Sequence, residues 1–261
     1  MRLGVLSDRL NPTMREALDR IAARGVRVDL LLPRPGILRV EDLRIEHDLY
    51  LVKSGTAHAM SLAGALHALG AVTLNPFPTV LQLRNKIVVA RILERAGVRA
   101  PRSFVCESAT ELAPLLAEGP LLLKPYDGSR GIGIRLLETP GDLSATPVPA
   151  PVFAQRYHRP DGLDHKIFRI GDELFGVRRR WPIRDDNDKL GEPFVVEGEM
   201  RELAMAIGEA FAIDLYGLDV IVSAGVPYVV DVNKFGSYMG VPEGARRVAD
   251  YVVGHLSRLT R

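Results

Sequence analysis

The stretch Gly217-Leu-Asp-Val-Ile-Val-Ser-Ala-Gly-Val-Pro-Tyr-Val-Val-Asp-Val-Asn-Lys-Phe-Gly-Ser-Tyr238 sets one acidic residue inside each of two apolar runs. Residues 218–222 and 228–232 are β-branched and aromatic, and the connection between them carries Gly225, so an antiparallel hairpin is expected. A turn centred near Gly225 puts Asp219 opposite Asp231 and Gly217 opposite Asn233. Side chains alternate along a strand, so Asp219, Asp231 and Asn233 share one face. Opposed Cβ atoms lie about 4.5–5.5 Å apart, where like charges repel. Two carboxylates and an amide oxygen form an all-oxygen set that suits a hard divalent cation. Magnesium completes such a shell with water and substrate phosphates.

The rest of the sequence sets bounds. With 261 residues, 47% of them apolar, the chain can form one large or two moderate packed units. Lys and Arg total 34 against 32 Asp and Glu, a balance that gives no reason to expect nucleic acid as a partner. No apolar run approaches the roughly 18 residues of a membrane span, and residues 1–6 begin a strand pattern without signal-peptide organisation, so the cytoplasm is the expected location and no membrane partner is expected. The single cysteine, Cys106, excludes an intramolecular disulfide and a cysteine-based zinc site; its Phe104-Val105-Cys106 context predicts a core strand. The six His residues show no paired metal-ligand spacing.

Along the chain, strand patterns over residues 2–7, 26–32 and 48–52 alternate with helical patterns over 11–24 and 57–69. That alternation predicts a parallel βαβ sheet with covering helices. Asn75-Pro76-Phe77-Pro78 marks a boundary, and the following pattern reads as one helix over residues 80–96. Further strands are expected over 103–106, 121–125, 134–137, 152–157, 164–170 and 173–180, with a polar loop over 181–193. Helices are expected over 109–117, 198–211 and 243–259.

Asp127-Gly-Ser-Arg-Gly-Ile-Gly133 joins two strands, so its glycines can turn backbone amides toward an anion. It is not a dinucleotide-binding fingerprint, because a strand follows it. Lys124 ends an otherwise apolar strand, where an ammonium is costly without an anionic partner. Lys86, Lys124 before the Gly-rich loop, Gln155-Arg156-Tyr157 and Asp219…Asp231-Val-Asn233 together resemble the ATP-grasp superfamily, in family order and over nearly the whole chain. The resemblance implies ATP and Mg2+ as cofactors, with Mn2+ as an alternative. It implies that Lys86 and Lys124 contact phosphates under a loop formed by Asp127, Gly128, Ser129, Arg130, Gly131 and Gly133. Gln155, Arg156 and Tyr157 would form the adenine edge, and Asp219, Asp231 and Asn233 the metal site.

Within that superfamily the Gly128–Gly133 loop and Leu74-Asn75-Pro76 look like the glutamate-adding carboxylate-amine ligases. His165–Asp172, Val177–Pro182 and Val230–Phe235 with Tyr238 resemble the inositol trisphosphate kinases of ATP-grasp type, although Trp181 and Gly236-Ser237 depart from their pattern. The ligase reading is preferred, with a small-molecule kinase and a non-catalytic nucleotide-binding protein as alternatives. Neither chemistry requires a protein nucleophile; positioning and charge stabilisation do the work. Alternation turns Arg179 away from Arg178 and Arg180, which makes it the candidate clamp for a phosphate or carboxylate. Lys166 could reach the nucleotide or the second substrate. Lys53, Ser54 and Gly55, at a carboxyl end of the first sheet, are candidates for the second substrate, as are Lys234 and Ser237 beyond the metal ligands.

The expected architecture is therefore α/β, with α+β character in the ATP-binding lobes. An N-terminal parallel βαβ substrate domain covers residues 1–78. A helical segment plus a small central lobe spans 79–157, and a C-terminal antiparallel-sheet lobe spans 158–261. Partners are expected to be a small-molecule or peptide substrate, with self-association left open.

Overall fold

A computed structural model of the chain describes residues 1–32, 37–128, 131–143, 148–180 and 190–259. Among the described residues the strands form three sheets. The first contains β1 (Arg2–Leu6), β2 (Arg27–Leu30), β3 (Leu49–Val52) and β4 (Thr73–Leu74), all parallel in the order β2-β1-β3-β4. Helix α1 (Pro12–Ala22) starts where sequence chemistry dictates: Asn11 Oδ1 accepts from the Met14 N–H at 2.8 Å, and Pro12 occupies the first turn. Its buried stripe is Met14, Ala17, Leu18 and Ile21, the spacing of one helix face. Helix α2 (Ala57–Ala68) is capped by Thr56, which accepts from the Ala59 N–H at 3.3 Å.

The helix expected over 80–96 is two helices, α3 (Phe77–Arg84) and α4 (Lys86–Arg95). Asn85 breaks the run with an extended backbone (φ −105°, ψ 108°), and its side chain caps α4 by accepting from the Ile87 and Val88 N–H groups. The apolar periodicity continues across this break, so only the Asn could have signalled it. The break places Lys86 at the start of α4, where its N–H donates to Tyr126 O at 2.7 Å.

The central sheet is antiparallel in the order β5-β8-β6-β7, formed by β5 (Ser103–Cys106), β6 (Leu121–Lys124), β7 (Arg135–Leu137) and β8 (Val152–Arg156). A 3₁₀ turn over Ala109–Leu112 and the short helix α5 (Ala113–Leu116) stand where one helix was expected. Leu112, Leu116, Leu121, Leu123, Leu137, Leu143, Val152 and Ala154 form a core belonging to this lobe alone. Cys106 packs beside that core, partly buried, and its thiol donates to Ser108 O at 3.2 Å.

The third sheet, in the order β11-β10-β9-β12-β13, contains β9 (Leu163–Ile170), β10 (Glu173–Arg180), β11 (Glu192–Phe194), β12 (Leu215–Ser223) and β13 (Val226–Asn233). Helix α6 (Gly198–Phe211) precedes the β12–β13 hairpin, and α7 (Gly244–Leu259) follows it. β11 lies where the sequence suggested only loop: Glu192–Phe194 pairs with Gly176–Arg178 of β10. The remainder of that expected loop, residues 181–189, falls outside the described residues.

The first and third sheets share a core. Leu3, Val5, Leu49 and Leu51 from β1 and β3 join Phe168, Leu215, Phe235, Tyr238, Val248, Val252 and Leu256 in one buried cluster, with α1 against α7. Truncating a buried leucine such as Leu256 to alanine costs about 2–5 kcal/mol. Asn75 adds a polar tie, its amide donating to Leu215 O at 2.7 Å and Lys234 O at 2.6 Å.

Candidate active site

The hairpin register is the one expected from its turn: Asp219 pairs with Asp231 and Gly217 with Asn233. A bulge after Asp219 leaves Val220 opposite Val229, and so puts Val230 out of register. Each carboxylate has a cation against it. Lys166, the β9 partner of Asp219, makes a short ion pair with that carboxylate. Lys86 Nζ lies 3.5 Å from Asp231 Oδ1 and donates to Gly128 O at 2.9 Å. Asn233 Nδ2 donates to Asp219 Oδ2 at 3.3 Å, which ties the third oxygen-bearing side chain to the same face. Against the pull of burial, Asp219 and Asp164 hold the Lys166 ammonium above its ordinary pKa.

Lys124 is buried, and its Nζ reaches Val230 O, the bulged residue, at 3.3 Å. Burial lowers its pKa to about 8, with the Lys86 charge adding to the shift and Asp231 opposing it. Lys86, Lys124 and Lys166 thus converge on one end of the hairpin. The Gly-rich loop starts beside them. A Cβ on Gly128 or on Gly133 would meet the Pro125 ring at 2.8 Å, and Gly133 has φ +78°, so the loop can fold back over Pro125 only without side chains there. Gly131 also has a positive φ, and Asp127 Oδ2 stands 3.9 Å from Arg84 Nη2. Ser129 and Arg130 lie outside the described residues.

Arg179 faces inward as alternation requires: it is 6% exposed, whereas Arg178 and Arg180 are exposed. Its Nη2 has a long contact to Met239 O, 3.4 Å, and its buried Nε has no partner among the described residues. A buried guanidinium with an unmatched N–H is a donor held ready for an oxyanion. Opposite it in register is Asp164, which sequence reading did not select. Burial and the Asp219 charge raise the Asp164 pKa to about 6, against Lys166 and Arg179. Asp164 stands two residues before Lys166 on β9, so alternation alone would have put it on the same face.

The expected adenine edge is mostly committed to the central lobe. The Arg156 N–H donates to Arg102 O at 2.8 Å and the Tyr157 N–H to Pro120 O at 3.0 Å. The Arg156 guanidinium bonds Leu115 O at 3.1 Å and reaches Glu118, so it acts as a clasp within that lobe. Gln155 is buried, donates to Ser103 Oγ at 3.1 Å, and its Oε1 has no partner among the described residues. Gln155, Phe153, Lys86 and Val229–Asp231 line one narrow cleft together with α4.

The residues expected to meet the second substrate also come together. Lys53 Nζ lies 5.1 Å from the Phe235 ring centroid and 3.4 Å from Gly236 O, and Lys234 Nζ donates to Ser54 O. Burial lowers Lys53 to about 8, opposed by Asp8. Burial, then Arg84 and Lys53, lower Lys234 to about 7. Gly55 abuts Arg84, whose Nη1 would stand 3.1 Å from a Cβ placed there. Ser237 contributes its carbonyl, which accepts from Asn11 Nδ2 at 3.0 Å. Arg84, at the end of α3, was not selected from sequence; only its place two residues before Lys86 could have pointed to it.

Residues 83–241 match the RimK-like ATP-grasp domain. The chain belongs to that family. A ribosomal protein bS6–L-glutamate ligase of Escherichia coli is 24% identical over 228 residues, 80% of this chain and 76% of that protein. A probable alpha-L-glutamate ligase 2 of Shewanella amazonensis is 23% identical, covering 79% and 74%. Among solved structures, a RimK domain ATP-grasp protein of Sphaerobacter thermophilus superposes with a TM-score of 0.75 at 24% identity, covering 97% of this chain and all of that one. The ATP-grasp ligase PsnB bound to a minimal precursor gives 0.70 at 17% identity. The ATP-grasp family uses ATP and magnesium, and PsnB has been captured with Mg and ADP. These relatives are named as ligases, so the kinase alternative is not favoured.

The donor set of the hairpin fits magnesium. Asp219, Asp231 and Asn233 offer hard oxygens on one face, and they number two carboxylates and one amide. No group of three or more His, Cys, Asp or Glu able to hold a metal occurs among the described residues.

Proposed function

We propose that the chain is an ATP- and magnesium-dependent carboxylate–amine ligase acting through an acyl phosphate. The observation that carries the reading is the opposed Asp219–Asp231 pair ringed by Lys86, Lys124 and Lys166, with the unmatched guanidinium of Arg179 on the neighbouring strand. Asp219, Asp231 and Asn233 would hold magnesium, which supplies charge neutralisation at the transferring phosphoryl group. Mn2+ would suit the same oxygens. Lys86 and Lys124 would hold the phosphates, the 127–133 loop would cover them, and Gln155–Tyr157 would border the adenine.

A substrate carboxylate attacks the γ-phosphorus and ADP departs. The amine then adds to the acyl carbon, orthophosphate leaves, and the amine proton goes to solvent. Arg179, itself buried, would donate to the oxyanion that develops. Lys166 keeps Asp219 and Asp164 neutralised until the nucleotide arrives. Lys53, Ser54, Gly55, Lys234 and Ser237 would border the second substrate. Relatives are named for joining L-glutamate to a ribosomal protein, and PsnB for binding precursor peptides, so an amino acid joined to a small molecule or peptide is the substrate class proposed here. No described helix is long and apolar enough to cross a membrane, and we place the activity in the cytoplasm.

The test is incubation with ATP, magnesium and a panel of carboxylic acids, reading orthophosphate and, with hydroxylamine present, hydroxamate. Both products are expected for the correct acid, and both should disappear in Asp231→Asn with the fold intact. Phosphate retained on a hydroxyl without orthophosphate release would make the protein a kinase.

A further inference from the structure

Lys53, Arg84 and Lys234 come from three separate parts of the chain: the exit of β3, the end of α3 and the loop after β13. The two lysines cross. Lys53 Nζ ends at the carbonyl of Gly236, and Lys234 Nζ at the carbonyl of Ser54, so each reaches the loop that carries the other. Neither lysine forms an ion pair with a carboxylate among the described residues, and Asp8 is the acid whose field reaches both. Arg84 adds a third positive charge. Its Nη1 faces Gly55, where the missing side chain keeps the approach open, and its own acid, Asp127 at 3.9 Å, is exposed in the Gly-rich loop. The N-terminus of α2 opens just past Gly55 and adds its partial positive charge.

Ammonium groups held by carbonyl dipoles, and for Lys53 also by the Phe235 ring, with no carboxylate in ion-pair contact are under-neutralised, and withdrawing them from water costs free energy that an anion would recover. We propose that Lys53, Arg84 and Lys234 form the subsite for a remote anionic group of the second substrate, a carboxylate or a phosphate, distinct from the carboxylate that is phosphorylated. The placement fits that task. Lys234 directly follows Asn233, and Arg84 touches the Gly-rich loop through Asp127, so an anion anchored here lies against the phosphate end of the nucleotide cleft. The substrate class is thereby narrowed to molecules with a second negative charge. Binding energy from that non-reacting group would orient the reacting one. This assignment rests on the ligase reading above.

The experiment needs no turnover, so it is separable from that reading. Equilibrium binding of glutarate, 4-phosphonobutyrate and butyrate to the full chain is measured with Mg2+ and a non-hydrolysable ATP analogue, for wild type, Lys53→Met and Lys234→Met. At least one dianion should bind about tenfold tighter than butyrate, and either variant should erase most of that preference. The tighter dianion distinguishes carboxylate from phosphate. Affinity for the ATP analogue should change by less than about threefold in Lys53→Met, which separates loss of the subsite from loss of the nucleotide site. Equal binding of butyrate and both dianions, or no binding of any of them at about 10 mM, overturns the assignment. A preserved dianion preference in variants whose thermal midpoint has fallen also overturns it, because the lysines would then be ties between loops and nothing more.

Discussion

Lys86 Nζ stands 3.5 Å from Asp231 Oδ1, so a lysine from α4 holds the charge of a carboxylate proposed above as a magnesium ligand. Lys166 does the same for Asp219. The cations proposed above for phosphate and the anions proposed for metal thus neutralise one another. On the proposed reading, magnesium at Asp231 would displace this ammonium, which would then be available to phosphate.

Lys86→Met should therefore change two affinities in opposite directions. Titration calorimetry should show Mg2+ binding without nucleotide strengthened, and ATP binding weakened by at least about tenfold. Two affinities that fall together would mean that Lys86 does not compete for Asp231.

Lys124→Met should weaken ATP by about thirtyfold or more, the typical cost of removing one partner of a desolvated charge pair. Thermal stability of the ligand-free protein should be unchanged or higher, because an apolar side chain replaces an ammonium that burial already disfavours. Unchanged nucleotide affinity would remove Lys124 from the phosphate site.

Arg179→Lys keeps the charge but loses the planar fork. Orthophosphate release at saturating ATP should fall by about 10²–10³, in the range known for loss of a single oxyanion donor, with KM for ATP little changed. Full kcat in the lysine variant would mean that geometry at this position does not matter.

The pH dependence of anion binding follows from Lys53. Burial lowers its pKa from 10.5 to about 8, so Lys53 is charged below that pH and loses its charge above it. Glutarate affinity should fall as pH rises from 6 through about 8 in the wild type, Lys234 losing its charge near 7 and Lys53 near 8, and the upper part of that fall should be absent in Lys53→Met. The same shift acts on folding with a definite sign. Between about 8 and 10.5 the unfolded lysine binds a proton that the folded one lacks, so its contribution to stability grows with pH across that window. Melting curves of the two proteins from pH 7.5 to 10 would show the gap.

The hairpin could be read from the sequence because it is local: the turn fixes the register, and the register fixes which carboxylates meet. The inward turn of Arg179 was legible for the same reason, a period of two. Asp164 obeyed that rule too but was passed over, since nothing in sequence ranks one strand carboxylate above another until burial is known. The break at Asn85 was hidden because apolar spacing runs through it while a single amide redirects the backbone. β4 and β11, at two and three residues, carry too little pattern to stand out and exist because a neighbouring strand offers an edge. Arg156 lies in the expected motif, yet its guanidinium is taken by carbonyls near residue 117, a long-range match no local pattern records.

The core shared by the first and third sheets also has a kinetic side. The core on one face of the sheet built by the earliest strands is made by α1 and completed by residues of the third sheet and of α7, which packs on α1 from much later in the sequence. During synthesis β1 to β4 emerge with only α1 to cover that face, and the shared core closes once residues 244–259 have emerged. The central lobe, with a core of its own, has no such wait. Order of synthesis and order of completion are thus reversed: the first sheet is translated before the central lobe and is finished after it.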